Sequence, residues 1–222
     1  MATLKGAFIN LGAGLLGGLP NIVIFQFNPE RVSRTPTLAQ PPQTPVGAGQ
    51  IDATQQASDP TESFSFTLNL DASDQLAQDN PIAAASGILP ALSALELLML
   101  PKLAMPIDLA ALAGDKSVKY VSPPTKLPTV LFFWGPFRIW PVTVDSLSVT
   151  ETEYNPLLIP VRAEINVGMQ VLTSNQIDPQ TPHGRLARGA YDYSMGVKRV
   201  MAALNLANAA QLGLGGSFSL SL

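Results

Sequence analysis

Cysteine is missing from all 222 residues, which excludes disulfides, thiolate zinc sites and cysteine nucleophiles. Charge is scarce as well. Asp, Glu, Lys and Arg make up 13% of the chain, against about 25% in ordinary domains. There is no basic run and the net charge is −3, a balance that argues against nucleic acid as a partner. A single histidine, His183, sits in the turn sequence Pro-His-Gly, without the packed, oriented surroundings a Ser-His-Asp base needs. A zinc site would need three or four nitrogen or sulfur ligands, and the sequence does not supply them. The stretch "GAGLLGG" has neither the Gly-x-Gly-x-x-Gly spacing nor the Lys-Ser/Thr of a phosphate cradle. The expectation is a protein without catalytic residues, cofactor or metal.

Long uninterrupted apolar runs are also lacking. "GAFINLGAGLLGGLPNIVIF" superficially resembles a signal peptide, but Asn10, Pro20 and Asn21 break it and glycines dilute it. A spanning helix needs about 20 predominantly apolar residues. Neither export nor a membrane anchor is expected, and the segment reads as a Gly-rich strand or loop followed by a true strand.

What the chain does have is apolar bulk: 46% hydrophobic residues and a mean hydropathy of +0.23. Low charge on an apolar chain fits a surface buried against other subunits, because interface cores are depleted of charge. Ile22–Phe27 reads as a strand closed by the turn signal Asn28-Pro29. Residues 35–61, rich in Pro, Gln, Gly and Ala, read as a long exposed loop. In "ESFSFTLNLD", Phe64, Phe66, Leu68 and Leu70 alternate with polar residues, which predicts a strand with one buried face. Residues 81–100 predict helix, with Pro90 opening a second helix and Leu92, Leu95 and Met99 on one face. Val130–Trp134 predicts a buried strand, Gly135-Pro136 a turn, and 137–150 one or two further strands. Val161 to Val171 alternates over its whole length and predicts a long strand after the connection "YNPLLIP". Residues 185–211 predict a helix with an apolar face of Leu186, Tyr193, Val197, Val200, Met201 and Leu204, flanked by Arg185, Arg188, Lys198 and Arg199.

Two constellations could act chemically. Glu151 and Glu153 share a strand face, yet paired carboxylates there read first as a solvated edge. The group Phe132, Phe133, Trp134, Phe137 and Trp140 could stack a ligand, but on alternating strands it reads as core.

Four short motifs in a fixed order suggest a family. Phe27-Asn28-Pro29-Glu30 comes first, then a Phe-x-Leu strand running into acid (Phe66, Leu68, Asp71). Trp134-Gly135 ends "LPTVLFFWG", and Pro160-Val161-Arg162-Ala163 opens the last long strand. Over residues 20–172 the chain resembles the tube-like domain of baseplate hub proteins in contractile injection systems, the phage-tail-like particles of bacteria. The resemblance implies a mainly β (α+β) fold, a split tail-tube-like β-barrel with a Leu-rich helix and a C-terminal helical extension. It divides the chain into a barrel domain, 1–172, and a loop plus helical tail, 173–222. Relatives often carry a C-terminal LysM module, and residues 173–222 show no LysM pattern.

The function that follows from this resemblance is a structural, non-catalytic ring subunit. Its partners would be itself in a hexameric ring, the inner tube protein, the spike and the baseplate wedge proteins. It would be made in the bacterial cytoplasm and then built into a particle, without a membrane anchor. The tail helix would set its apolar stripe on a neighbour or wedge protein in place of the LysM module. Two other readings compete: a non-catalytic β-domain that binds carbohydrate or another ligand through Trp134 and Trp140, and an exported or capsid-like β-protein anchored by its first residues.

Overall fold

The computed structural model describes residues 4–14, 20–38, 59–100 and 127–211. Among the described residues, seven strands form one antiparallel sheet and four α-helices accompany it. In chain order the strands are β1 (Ala7–Gly14), β2 (Pro20–Ile24), β3 (Val32–Thr37), β4 (Thr61–Asp71), β5 (Val130–Phe133), β6 (Ile139–Tyr154) and β7 (Pro160–Val171). Helices α1 (Ser73–Ala77), α2 (Pro81–Ser86) and α3 (Leu89–Glu96) follow β4, and α4 (Pro182–Gln211) follows β7 after a short 3₁₀ turn. The strand order is β2-β1-β5-β6-β7-β4-β3. Every pairing is antiparallel.

The alternating pattern of β4 does what the sequence requires. Phe64, Phe66, Leu68 and Leu70 point inward, and Ser63, Ser65 and Asn69 point out. β7 alternates in register beside it, with Phe66 opposite Val167 and Leu68 opposite Ile165. The sheet then curls. Phe8 on β1 and Phe66 on β4 are separated in the sheet by β5, β6 and β7, yet their rings lie 6.2 Å apart. Phe132 on β5 touches both, at 5.6 Å and 5.5 Å. Burying these rings together draws the two halves of the sheet towards each other.

The curl stops short of closure. β2 pairs only with β1 and β3 only with β4, so the described strands form an open sheet and not a closed barrel. Pro36 on β3 marks the edge, since proline cannot donate to a further ladder.

Several expectations are corrected here. The first strand is Ala7–Gly14, where the sequence suggested a Gly-rich strand or loop, and the Ile22–Phe27 strand is the second and ends at Ile24. Asn28-Pro29 leads into β3 and not into a long loop. Thr35–Thr37 extend β3 and Thr61 opens β4, so the expected 35–61 loop loses both its ends, and its middle lies outside the described residues. Residues 139–154 form one strand, bent by irregularities near Asp145 and Thr152. Pro90 does open a helix, and Leu92 and Leu95 are buried. Pro101 and Pro106, which the sequence sets as punctuation after this helical region, and the Gly-rich stretch after residue 211 lie outside the described residues.

Local chemistry fixes the connections. The Asn80 side chain accepts hydrogen bonds from the Ile82 and Ala83 amides and caps α2. Gly87 has φ 54°, and a Cβ there would collide with the Pro160 carbonyl. That carbonyl accepts from the Ile88 amide at 3.0 Å, tying the helices to the start of β7. Gly135, at φ 79°, makes the turn between β5 and β6.

Candidate functional site: the docked face of α4 and the ion pairs at the ends of the sheet

Helix α4 meets the sheet through a mixed and largely polar face. Ala187, Tyr191 and Ser194 are buried, and Lys198 continues the same face one turn on. The Ser194 hydroxyl accepts from the Ile139 amide at 3.0 Å and donates to the Ile139 carbonyl at 2.7 Å. The Tyr193 hydroxyl donates to the Pro136 carbonyl at 2.8 Å. Tyr191 packs edge-on against Trp140, with ring centroids 5.9 Å apart, and donates to Asp59 at 3.3 Å. Burial first, and the neighbouring Asp59 charge second, push the Tyr191 phenol up to about 12.

Glu62 organises the far side of this seam. Its buried carboxylate accepts from the Lys198 ammonium at 2.7 Å and pairs with Arg34 of β3. The same ammonium lies 4.3 Å over the Trp140 ring. Burial, and then the Arg34 charge, push Lys198 down to about 8. Three elements, β3, β4 and α4, therefore meet at one buried carboxylate, and β6 joins them through Trp140 beneath the Lys198 ammonium.

At the opposite end of the sheet lies a second ion-paired cluster. Asp71 and Arg162 are register partners on β4 and β7. The Arg162 Nε donates to Asp71 Oδ2 at 2.9 Å, and its Nη1 pairs with Glu153 of β6. Asp71 Oδ1 also accepts from the Ser73 amide at 2.8 Å, at the start of α1. The Ser73 hydrogen bonds, with Arg162 adding to them, hold the Asp71 carboxyl below its usual range. A lowered pKa in the folded state means stability that is present above about pH 3.8 and lost as pH falls through the lower folded value. Asp71→Asn should be less stable than wild type at pH 6. The gap should narrow as pH drops below 3.8, read from urea midpoints. A gap that stays constant to pH 2 would contradict the role given to this carboxylate.

The other motif residues hold the fold in three ways. Phe66, Leu68, Pro160 and Ala163 are buried, and Val161 is half-buried. Trp134 is half-buried and stacks on Phe132 at 5.9 Å, with Gly135 turning the chain beside it. The Asn28 side chain accepts from the Gly6 amide at 2.9 Å and donates to the Leu4 carbonyl at 2.8 Å, pinning the chain before β1 to the exit of β2. Phe27 is exposed beside it. Pro29 is half-buried, and Glu30 sits at the rim of a recess of about 380 Å³ lined by Arg31, Ser33, Ser65 and Asn166. The motifs at Asp71 and Arg162 are thus brought together, as are Phe66 and Trp134 through Phe132, while Phe27 and Glu30 stand apart.

Trp140 is 2% exposed, covered by Tyr191 and Lys198, and offers no open ring face to a ligand. Glu153 is engaged by Arg162 and is not one of a free carboxylate pair. His183 is exposed in the first turn of α4. Among the described residues no group of three or more His, Cys, Asp or Glu could hold a metal ion, and no helix is long and apolar enough to cross a membrane.

The apolar face expected for α4 stays open and does not dock on the chain's own sheet; a different, polar face does, which sequence reasoning missed. Leu186, Tyr193, Val200, Met201 and Leu204 are exposed, and Val197 is half-buried. Glu62 is the residue that sequence reasoning missed. It precedes Phe64 by two positions and so shares the inward face of β4, a signal obscured by its charge. No protein-family model and no characterised protein matches this chain.

Proposed function

We propose that the chain is a structural subunit of the baseplate of an extracellular contractile injection system, forming a ring that joins the inner tube to the spike and baseplate. The observation that carries this reading is the open, curled sheet, whose edge strands β2 and β3 each have one partner among the described strands. Unpaired edges are completed by neighbours in ring assemblies, and the single proline of β3, Pro36, removes one donor from that edge while leaving its carbonyls to pair. In this reading the sheet is a split tail-tube-like barrel, opened between β2 and β3, and neighbouring copies in a hexamer supply the missing closure.

The motif residues support the same view. Their side chains serve as core, pins and ion pairs, the roles expected of a scaffold. The apolar stripe left open on α4 supplies a surface for the inner tube, spike or wedge proteins, or for a second copy. Imaging of isolated contractile particles that carry a tagged copy of this chain tests the proposal. The tag should decorate the baseplate ring, and particles without any tag would oppose the reading.

A further inference from the structure

Two exposed surfaces at opposite ends of the molecule complement each other in charge and in apolar content. The first is the tip between β6 and β7. Leu157 and Leu158 stand out from it at 77% and 81% exposure. This tip is built rigidly: the Asn155 side chain accepts from the Leu157 amide at 2.9 Å and from the Ile159 amide at 3.0 Å. Leu158 is held at φ 61°, a left-handed conformation that is costly for a leucine. A strained backbone that presents two leucines to water is an arrangement worth keeping only if something covers them.

The surroundings of the tip are acidic. Asp74 on α1, Asp79 in the turn after it, Glu151 on β6 and Glu164 on β7 lie at this end of the sheet, and Lys5 reaches its margin through the Gln26 carbonyl. Arg162 is the only cation in residues 71–96 and 150–164, and Asp71 and Glu153 already engage it.

The second surface is α4. At about 100° per residue its side chains sort into three faces. One docks on the sheet through Tyr191, Ser194 and Lys198. The second is the exposed apolar stripe that includes Tyr193, Val200 and Leu204. The third carries Arg185, Arg188 and Arg199 with Asp192 among them, all exposed, for a net charge of +2. The helix holds four of the thirteen Lys and Arg residues and one of the sixteen Asp and Glu.

We propose that the Leu157–Leu158 tip of one copy seats on the apolar stripe of α4 in a second copy, its acidic surround facing the arginine face of that helix. Strand β6 runs from Ile139, under α4, to Tyr154, beside the tip, which is roughly 50 Å of extended chain. The two surfaces therefore sit at opposite ends of the strand, and their pairing between copies is head-to-tail. Repeated head-to-tail contacts close into a ring when the rotation allows. This deepens the ring-subunit reading and rests on it for closure. The pairwise contact itself stands on the charge and the exposed leucines. Pre-organisation of the tip lowers the ordering cost of the contact, and the opposed charges steer the encounter.

The absence of cysteine makes the test clean. Two full-length variants, Leu158→Cys and Leu204→Cys, are mixed under mild oxidation, with Val200→Cys as a second helix position. The expected result is a mixed disulfide between the tip variant and a helix variant, in excess over either self-pair. In parallel, Leu157→Ser/Leu158→Ser alters only exposed side chains and should leave the circular dichroism unchanged. It should weaken self-association at least 10-fold in sedimentation, and wild-type association should weaken as salt rises. Association that persists in the serine variant, with no cross-link from either helix position, would overturn this contact and leave the ring reading to the β2 and β3 edges. A wild-type chain that stays monomeric at every concentration would overturn both.

Discussion

Phe132→Ala destabilises the protein by about 3–5 kcal/mol, as a fully buried aromatic truncation does. The ring is 0% exposed and lies within aromatic contact distance of Phe8, Phe25, Phe64, Phe66 and Trp134. Those partners come from β1, β4, and the chain following β2 and β5, so this side chain joins the two halves of the curled sheet. Its loss leaves a cavity that the surrounding rings cannot fill without moving the strands that carry them. The urea midpoint should fall accordingly, with the slope of the transition unchanged. A cost below about 1 kcal/mol would mean that the curl is held elsewhere.

Trp140→Ala has an effect of similar size, about 3–5 kcal/mol, but a different signature. Trp140 supports Tyr191 edge-on, and the Lys198 ammonium lies over its face. Removing it takes away the ring beneath Tyr191 and Lys198 and leaves the hydrogen bonds of Ser194, Tyr193 and Tyr191 and the Lys198–Glu62 pair to hold the helix. Amides of residues 182–200 should therefore exchange with deuterium sooner than those of β4 and β7. Proteolysis should begin within α4. Equal protection of helix and sheet in the variant would show that α4 does not depend on this contact. The same experiment bears on the carbohydrate platform: a tryptophan that acts as a ligand surface could be removed without loosening the helix.

The strands were legible in the sequence where one face alone is buried. β4 and β7 announce themselves by two-residue alternation, and the structure pairs them residue for residue, with Phe66 opposite Val167. β1 was not, because its glycines and Asn10 dilute the apolar pattern, although Phe8 is among the most buried residues. β3 was hidden for another reason: as an edge strand it is mostly exposed and contains Pro36, so its residues read as loop. The curl of the sheet depends on contacts between β1 and β4 across three intervening strands, which no local pattern reports.

The functional surfaces follow the same division. The Asp71–Arg162 pair joins two of the quoted motifs across 91 positions, so its residues were visible but their contact was not. The docked face of α4 defied the apolar pattern, since Ser194 and Lys198 are held by hydrogen bonds and an ion pair while the leucines stay outside. Hydrophobic periodicity finds faces that want burial, not the order in which partners bury them. Here the chain uses the polar face for itself and keeps the apolar one open.

The central claim, a structural ring subunit at the base of a contractile particle, is tested most directly by averaged electron micrographs of isolated particles with this chain labelled. The account predicts six-fold label density in a ring where the inner tube meets the spike, and no such ring in particles from a strain lacking the chain. Intact, contractile particles from that strain, with the baseplate ring unchanged, would contradict it.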